Sequence, residues 1–222
     1  MELVKSNNNP KIPARLYLDA VENLKGCPQV VRSDCGTENV LVAGTQSYVR
    51  ADEFAGKKAH QYGSSPSNQF IEGWWSFFRR NNSSWWINLF KDMCESGVLE
   101  LGNNFHIQCL WFCYSKLFQN ELDKVMDQWN SHYIRRSRHD TVPGVSDILY
   151  YLPANSGAVD CLVTVSQAKI CEVEPQCHID IEEDLYKDYF EYIMETEDWN
   201  YPVSVEDAFN LFQSLNNLQH GG

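Results

Sequence analysis

At 222 residues the chain is long enough to bury a sizeable core, and seven Trp, eleven Tyr and eleven Phe exclude a disordered polypeptide. Its net charge of −12 is unevenly placed: residues 1–150 carry 16 basic and 16 acidic side chains, residues 151–222 carry 2 and 14. A uniformly acidic surface would exclude nucleic acid, because phosphate contacts supply most non-specific affinity; here the balanced part clusters its cations at Lys57-Lys58, Arg79-Arg80 and Arg135-Arg136-Ser137-Arg138.

Met1–Val4 reads as a short strand at most, and Ser6-Asn7-Asn8-Asn9-Pro10 breaks it. Residues 11–25 predict a helix, with Ile12, Leu16, Ala20, Val21 and Leu24 near a 3.6 period and Pro13 tolerated in the first turn. Gly26-Cys27-Pro28 ends it. Residues 29–33 predict a strand, 39–50 a helix, 57–62 a strand and 67–80 a helix, an alternation that argues an α/β layer. Beyond Arg80 the pattern is helical: 85–96, 103–117 and 119–132 are aromatic-rich and amphipathic. A loop at 135–145 leads to 147–152 and Pro153; a strand at 161–165 and two acidic helices at 180–195 and 205–218 follow, the last opened by the capping-box pattern Ser204-Val205-Glu206-Asp207.

Eight cysteines stand singly, and no apolar run is long enough to cross a bilayer. Free thiols in a reducing compartment, nuclear or cytoplasmic, are expected, with no membrane partner. Cys109 and Cys113 lie four apart on an apolar helix, with His106 one turn earlier. That spacing could open a zinc site, but no second pair follows at finger-like spacing, so core packing is favoured.

Two carboxylates carry the chemistry. Asp34 ends an apolar run in Val30-Val31-Arg32-Ser33-Asp34-Cys35-Gly36-Thr37-Glu38-Asn39, where a strand meets a glycine turn. Glu72 sits in the helix that follows Tyr62-Gly63-Ser64-Ser65-Pro66-Ser67-Asn68-Gln69-Phe70-Ile71, thirty-seven residues later. A strand-end acid and a helical acid can converge from different elements, and hard oxygen ligands of this kind suit Mg2+. Two such ions about 3.5–4 Å apart activate the nucleophile and stabilise the leaving oxygen in phosphoryl transfer. Asn68 lies one turn before Glu72 and reads either as a contact to DNA or metal-bound water or as a helix-start residue. For Glu38 and Asn39, helix capping is favoured over lining the Asp34 mouth. Trp74-Trp75 and Trp85-Trp86 read as core rather than base-stacking platforms.

The two motifs, in this order, resemble the core of retroviral and transposon-type DDE integrases. Trp129-Asn130-Ser131-His132-Tyr133-Ile134-Arg135-Arg136-Ser137-Arg138-His139-Asp140-Thr141-Val142-Pro143-Gly144 resembles the segment downstream of that core. The likeness is closest to integrase-core-domain proteins of animal genomes and runs from about Glu2 to Val165. It implies a ribonuclease-H-like α/β fold and a DNA-joining lineage. Asp34 and Glu72 would be catalytic metal ligands for Mg2+ or Mn2+. DNA contacts are implied at Asn68, Arg79, Arg80, Arg135, Arg136 and Arg138, and a homodimer through the core is possible. The family's first Asp has no counterpart before Ser33, so a copy lacking its first strands, inactive as given, is expected; the alternative is a non-catalytic DNA- or protein-binding module. The expected organisation is a partial catalytic core over 1–100, a helical extension over 101–165 and an acidic tail over 166–222, separable from the core. That tail would bind a basic partner or mask the chain's own basic face.

Overall fold

The computed structural model describes residues 1–6, 8–50, 58–63, 69–136, 142–179 and 184–220. In chain order the elements are α1 (Lys11–Leu24), β1 (Gly26–Cys27), β2 (Val31–Ser33), α2 (Val40–Arg50), β3 (His60–Tyr62), α3 (Gln69–Phe78), α4 (Ser84–Glu95), α5 (Asn104–Ser131), β4 (Tyr133–Ile134), β5 (Gly144–Val145), α6 (Ser146–Tyr151), β6 (Val163–Thr164), α7 (Gln167–Cys177), α8 (Leu185–Thr196) and α9 (Val205–His220). Two compact units form. The α1 unit comprises Ser6–Gly73 and Ile148–Ile181; the α5 unit comprises Met1–Lys5, Trp74–Asp147 and Glu182–Gly222.

In the α1 unit, α1, α2 and α7 pack around small and branched side chains: Ala14, Leu18, Val21, Val42, Val49, Ile170, Val173 and Cys177. Helix α1 ends where Lys25 turns left-handed at φ 53°, and the chain enters β1. A Cβ on Gly26 would sit 2.9 Å from the Val163 carbonyl oxygen, so the close β1–β6 pairing, Gly26 opposite Thr164, depends on glycine there. The second pair is parallel: β2 and β3 align Val31 with His60, Arg32 with Gln61 and Ser33 with Tyr62. Its base is held by Gln46, fully buried, whose Nε2 donates to the carbonyls of Pro28 (2.8 Å) and Ala59 (3.2 Å), while Tyr17 donates to its Oε1. Parallel strands joined through a helix are the α/β arrangement the alternation predicts, although each strand is only two or three residues long and the described residues are mostly helical.

The α5 unit is a helical core. Cys109, Cys113 and Tyr114 of α5 meet Phe190, Ile193 and Met194 of α8 and Ala208, Leu211, Phe212 and Leu215 of α9. The expected break near residue 118 is absent: α5 is one helix of 28 residues, since Leu117-Phe118-Gln119 offers no glycine, proline or cap to stop it. Met1–Val4 forms no strand; Leu3 N–H instead donates to Gln119 Oε1 at 2.8 Å. The expected capping box is present and reciprocal: Asp207 N–H donates to Ser204 Oγ (3.1 Å) and Ser204 N–H to Asp207 Oδ2 (3.0 Å).

These units cut across the expected blocks 1–100, 101–165 and 166–222. Helix α7 presents Ile170, Val173 and Cys177 to α1 and α2, and Arg15 of α1 pairs with Glu174 at 3.0 Å. Helices α8 and α9 supply about half the buried side chains of the other core. The described acids of α7, α8 and α9 lie on helices that also present apolar faces to a core.

Candidate metal and nucleic-acid site

Because β2 and β3 run parallel and in register, both strands end at one edge. Gly63 N–H donates to Ser33 O at 2.8 Å, so Asp34 and Gly63 leave the sheet side by side. Asp34 is exposed there. Its Oδ1 accepts from Asn39 Nδ2 at 2.7 Å and from Gly36 N–H at 3.4 Å, the second closing the turn that ends the strand. Asn39 Nδ2 also reaches Glu38 Oε1 at 3.4 Å. Glu38 and Asn39 therefore line the mouth rather than cap a helix: the Asn39 donor points at carboxylates, whereas a cap accepts from backbone N–H. Both of these bonds fall on Oδ1 of Asp34.

Beneath the mouth sits a residue that sequence reasoning passed over. His60 is buried, and its Nε2 lies 3.2 Å from Ser33 Oγ, which donates to Asp34 O at 2.9 Å. Burial lowers its pKa, favouring the uncharged ring. The available signal was a histidine at the first position of a strand whose parallel partner ends in Asp34.

From Gly63 the chain re-emerges among the described residues as α3, with Glu72 exposed in its first turn. Glu72 and Asp34 thus belong to the two chain paths leaving one sheet edge. Asn68 lies outside the described residues. Hard carboxylate and amide oxygens are a donor set suited to Mg2+ or Mn2+. Among the described residues, however, no three His, Cys, Asp or Glu side chains converge as a metal site.

The cationic residues fall in the α5 unit. Arg79 and Arg80 are exposed on a π-helical turn, Arg79–Ser83, that joins α3 to α4; Arg80 Nε donates to Ser76 O at 3.3 Å. Arg135 and Arg136 are exposed directly after β4, and Arg138 lies outside the described residues. Of the tryptophans, Trp86 is core, while Trp75 and Trp85 are each 53 % exposed, so the core reading fails for those two. Trp74 packs edge-on to Trp129. The Cys109–Cys113 pair is core: both thiols are buried, and His106 Nδ1 accepts from Glu100 N–H at 3.1 Å. The bond to Cys109 and burial push the Cys113 thiol up.

No helix among the described residues is long and apolar enough to cross a membrane. No significant match is found among curated proteins or among solved structures. The family model described as integrase core domain matches residues 3–147, a span that includes Asp34, Glu72 and all the arginines named above. The chain therefore belongs to the integrase core domain family.

Proposed function

We propose that this chain is a DNA-binding integrase-type protein in which Asp34 and Glu72 are two acids of a divalent-metal site, and that its 222 residues hold DNA without joining it. The observation that carries the reading is the position of Asp34 at the shared edge of a parallel strand pair, within a family match that spans both acids. Mg2+ or Mn2+, when bound, would polarise a phosphate and acidify a water. The chain's own part is orientation and charge. Asn39 fixes the Asp34 carboxylate through Oδ1, and Glu38 adds negative charge at the same mouth. Arg79, Arg80, Arg135 and Arg136 are exposed and free of carboxylate partners in any ion pair among the described residues, which suits contact with phosphates.

Holding rather than joining is supported by the donor count. Two-ion chemistry uses an acid that bridges both ions, and among the described residues no group of three or more His, Cys, Asp or Glu side chains is placed to hold a metal ion. The test is a labelled duplex incubated with the protein and Mg2+ or Mn2+. Retarded but uncut DNA is expected, with affinity that falls steeply as salt rises. Cleavage or strand transfer that disappears in Asp34→Asn and Glu72→Gln would overturn the holding reading.

A further inference from the structure

Within the α5 unit, residues 1–5 lie along α5 in an extended path that is gripped as a peptide would be. Gln119 reads the backbone twice: its Nε2 donates to Met1 O at 3.0 Å, and its Oε1 accepts from Leu3 N–H at 2.8 Å. This reproduces with one side chain the alternating donor and acceptor pattern by which a strand is paired. Leu3 lines an apolar cleft whose walls include Phe90, Leu110, Trp111, Tyr114 and Phe118. About 300 Å³ of that cleft stays open beside Leu3, room for a larger side chain at that position. Two residues on, Lys5 Nζ reaches Asp184 Oδ2 at 2.6 Å and Gln108 Oε1 at 3.0 Å, 5.9 Å from the centre of the Trp111 ring. An acid, an amide and an indole face around one ammonium make a lysine-reading pocket.

We propose that this face of α5 is a docking groove for an extended partner segment carrying a large apolar residue two positions before a lysine, with Met1–Lys5 as its built-in competitor. Three features identify the occupant. The Gln119 amide selects extended backbone, the room beside Leu3 selects a side chain larger than leucine, and Asp184 with Trp111 selects a cation at the second position after it. The chain's own segment satisfies the first and third features and falls short on the second, which is the property expected of a displaceable competitor. Occupation in cis reduces apparent affinity for the partner by the fraction of molecules in which the segment is bound.

The test uses the full chain and a fluorescein-labelled peptide with the sequence of residues 1–6, alongside the same peptide carrying phenylalanine in place of leucine. Fluorescence anisotropy is measured against the native protein and a Leu3→Ser/Lys5→Ser double variant that weakens the cis segment. The peptides are expected to bind the double variant at least about tenfold tighter than the native chain, the phenylalanine form tighter than the leucine form. Adding Gln119→Ala or Asp184→Asn should weaken both by roughly tenfold. Failure of either peptide to bind a double variant that unfolds at the native temperature overturns the proposal, as does equal binding of a scrambled peptide. A native dimer that becomes monomeric in the double variant would also overturn it, assigning the groove to a second copy. Should the double variant not fold, excess phenylalanine peptide is added to 15N-labelled native protein. Shifts confined to residues 3, 5, 108 and 119 support the groove; an unchanged spectrum overturns it.

Discussion

The two units solve the same problem by different means. The α5 unit buries large side chains, Phe190, Phe212, Leu215 and Tyr114 among them, and its order comes from apolar volume. The α1 unit buries Ala14, Leu18, Val21 and Val49, smaller groups that bring helices close but bury less area each. It compensates with buried polar groups that hold the chain ends of its strands: Gln46 bonds Pro28 and Ala59, and Arg50, also buried, donates to Gln29 O. The difference teaches where each unit is vulnerable. Cavities damage the first, whereas an unpaired polar group damages the second and moves the Asp34 mouth with it.

The largest expected effect comes from ending the chain at residue 165. That removes α7 from one core and α8 and α9 from the other, a loss exceeding the roughly 5–15 kcal/mol by which domains are usually stable. The shortened chain should show no cooperative thermal transition. A sigmoidal melt near the native temperature would mean that the two cores do not depend on these helices.

Next come two single substitutions that set the units against each other. Phe212→Ala should cost about 3–5 kcal/mol as a cavity in the α5 unit. Gln46→Leu keeps the volume but strands the Pro28 and Ala59 carbonyls and the Tyr17 hydroxyl, at about 1–3 kcal/mol. Urea unfolding followed by amide exchange should show Phe212→Ala loosening α8 and α9, and Gln46→Leu loosening β2 and β3. The same residues loosening in both variants would erase the distinction.

How much of this was legible follows from the same contrast. The helices of the α5 unit announce themselves because large apolar side chains recur at helical spacing, and Ser204 and Asp207 mark the start of α9 in plain sequence. The sequence predicts two helices where α5 is one, although nothing between residues 117 and 119 stops a helix. Helix α7 is hidden by the charge balance: Ile170, Val173 and Cys177 keep helical spacing, but acids surround them. At the candidate site, Asp34 is legible from the apolar run before it and the glycine turn after it. The Asn39 contact and His60 are not, because they depend on which strand lies beside β2, and strands of three residues carry too little pattern to fix a partner.

A smaller effect is expected from pH. His60 has its pKa lowered by burial, so the unfolded chain takes up the proton more readily than the folded one. Its contribution is therefore complete above about pH 6.5 and declines as pH falls below that value toward the folded pKa, by at most about 1.4 kcal/mol per pH unit. His60→Asn should flatten this part of the stability profile below about pH 6.5. An unchanged profile would mean that another group titrates there.

The most direct test of the Asp34–Glu72 site is Mn2+ binding followed by electron paramagnetic resonance, which reports free ion without requiring turnover. The native chain should take up Mn2+, Asp34→Asn and Glu72→Gln should each lose most of that uptake, and Mg2+ should compete. Uptake that survives both substitutions, or that Glu72→Gln leaves untouched while Asp34→Asn abolishes it, would contradict the pairing of the two acids.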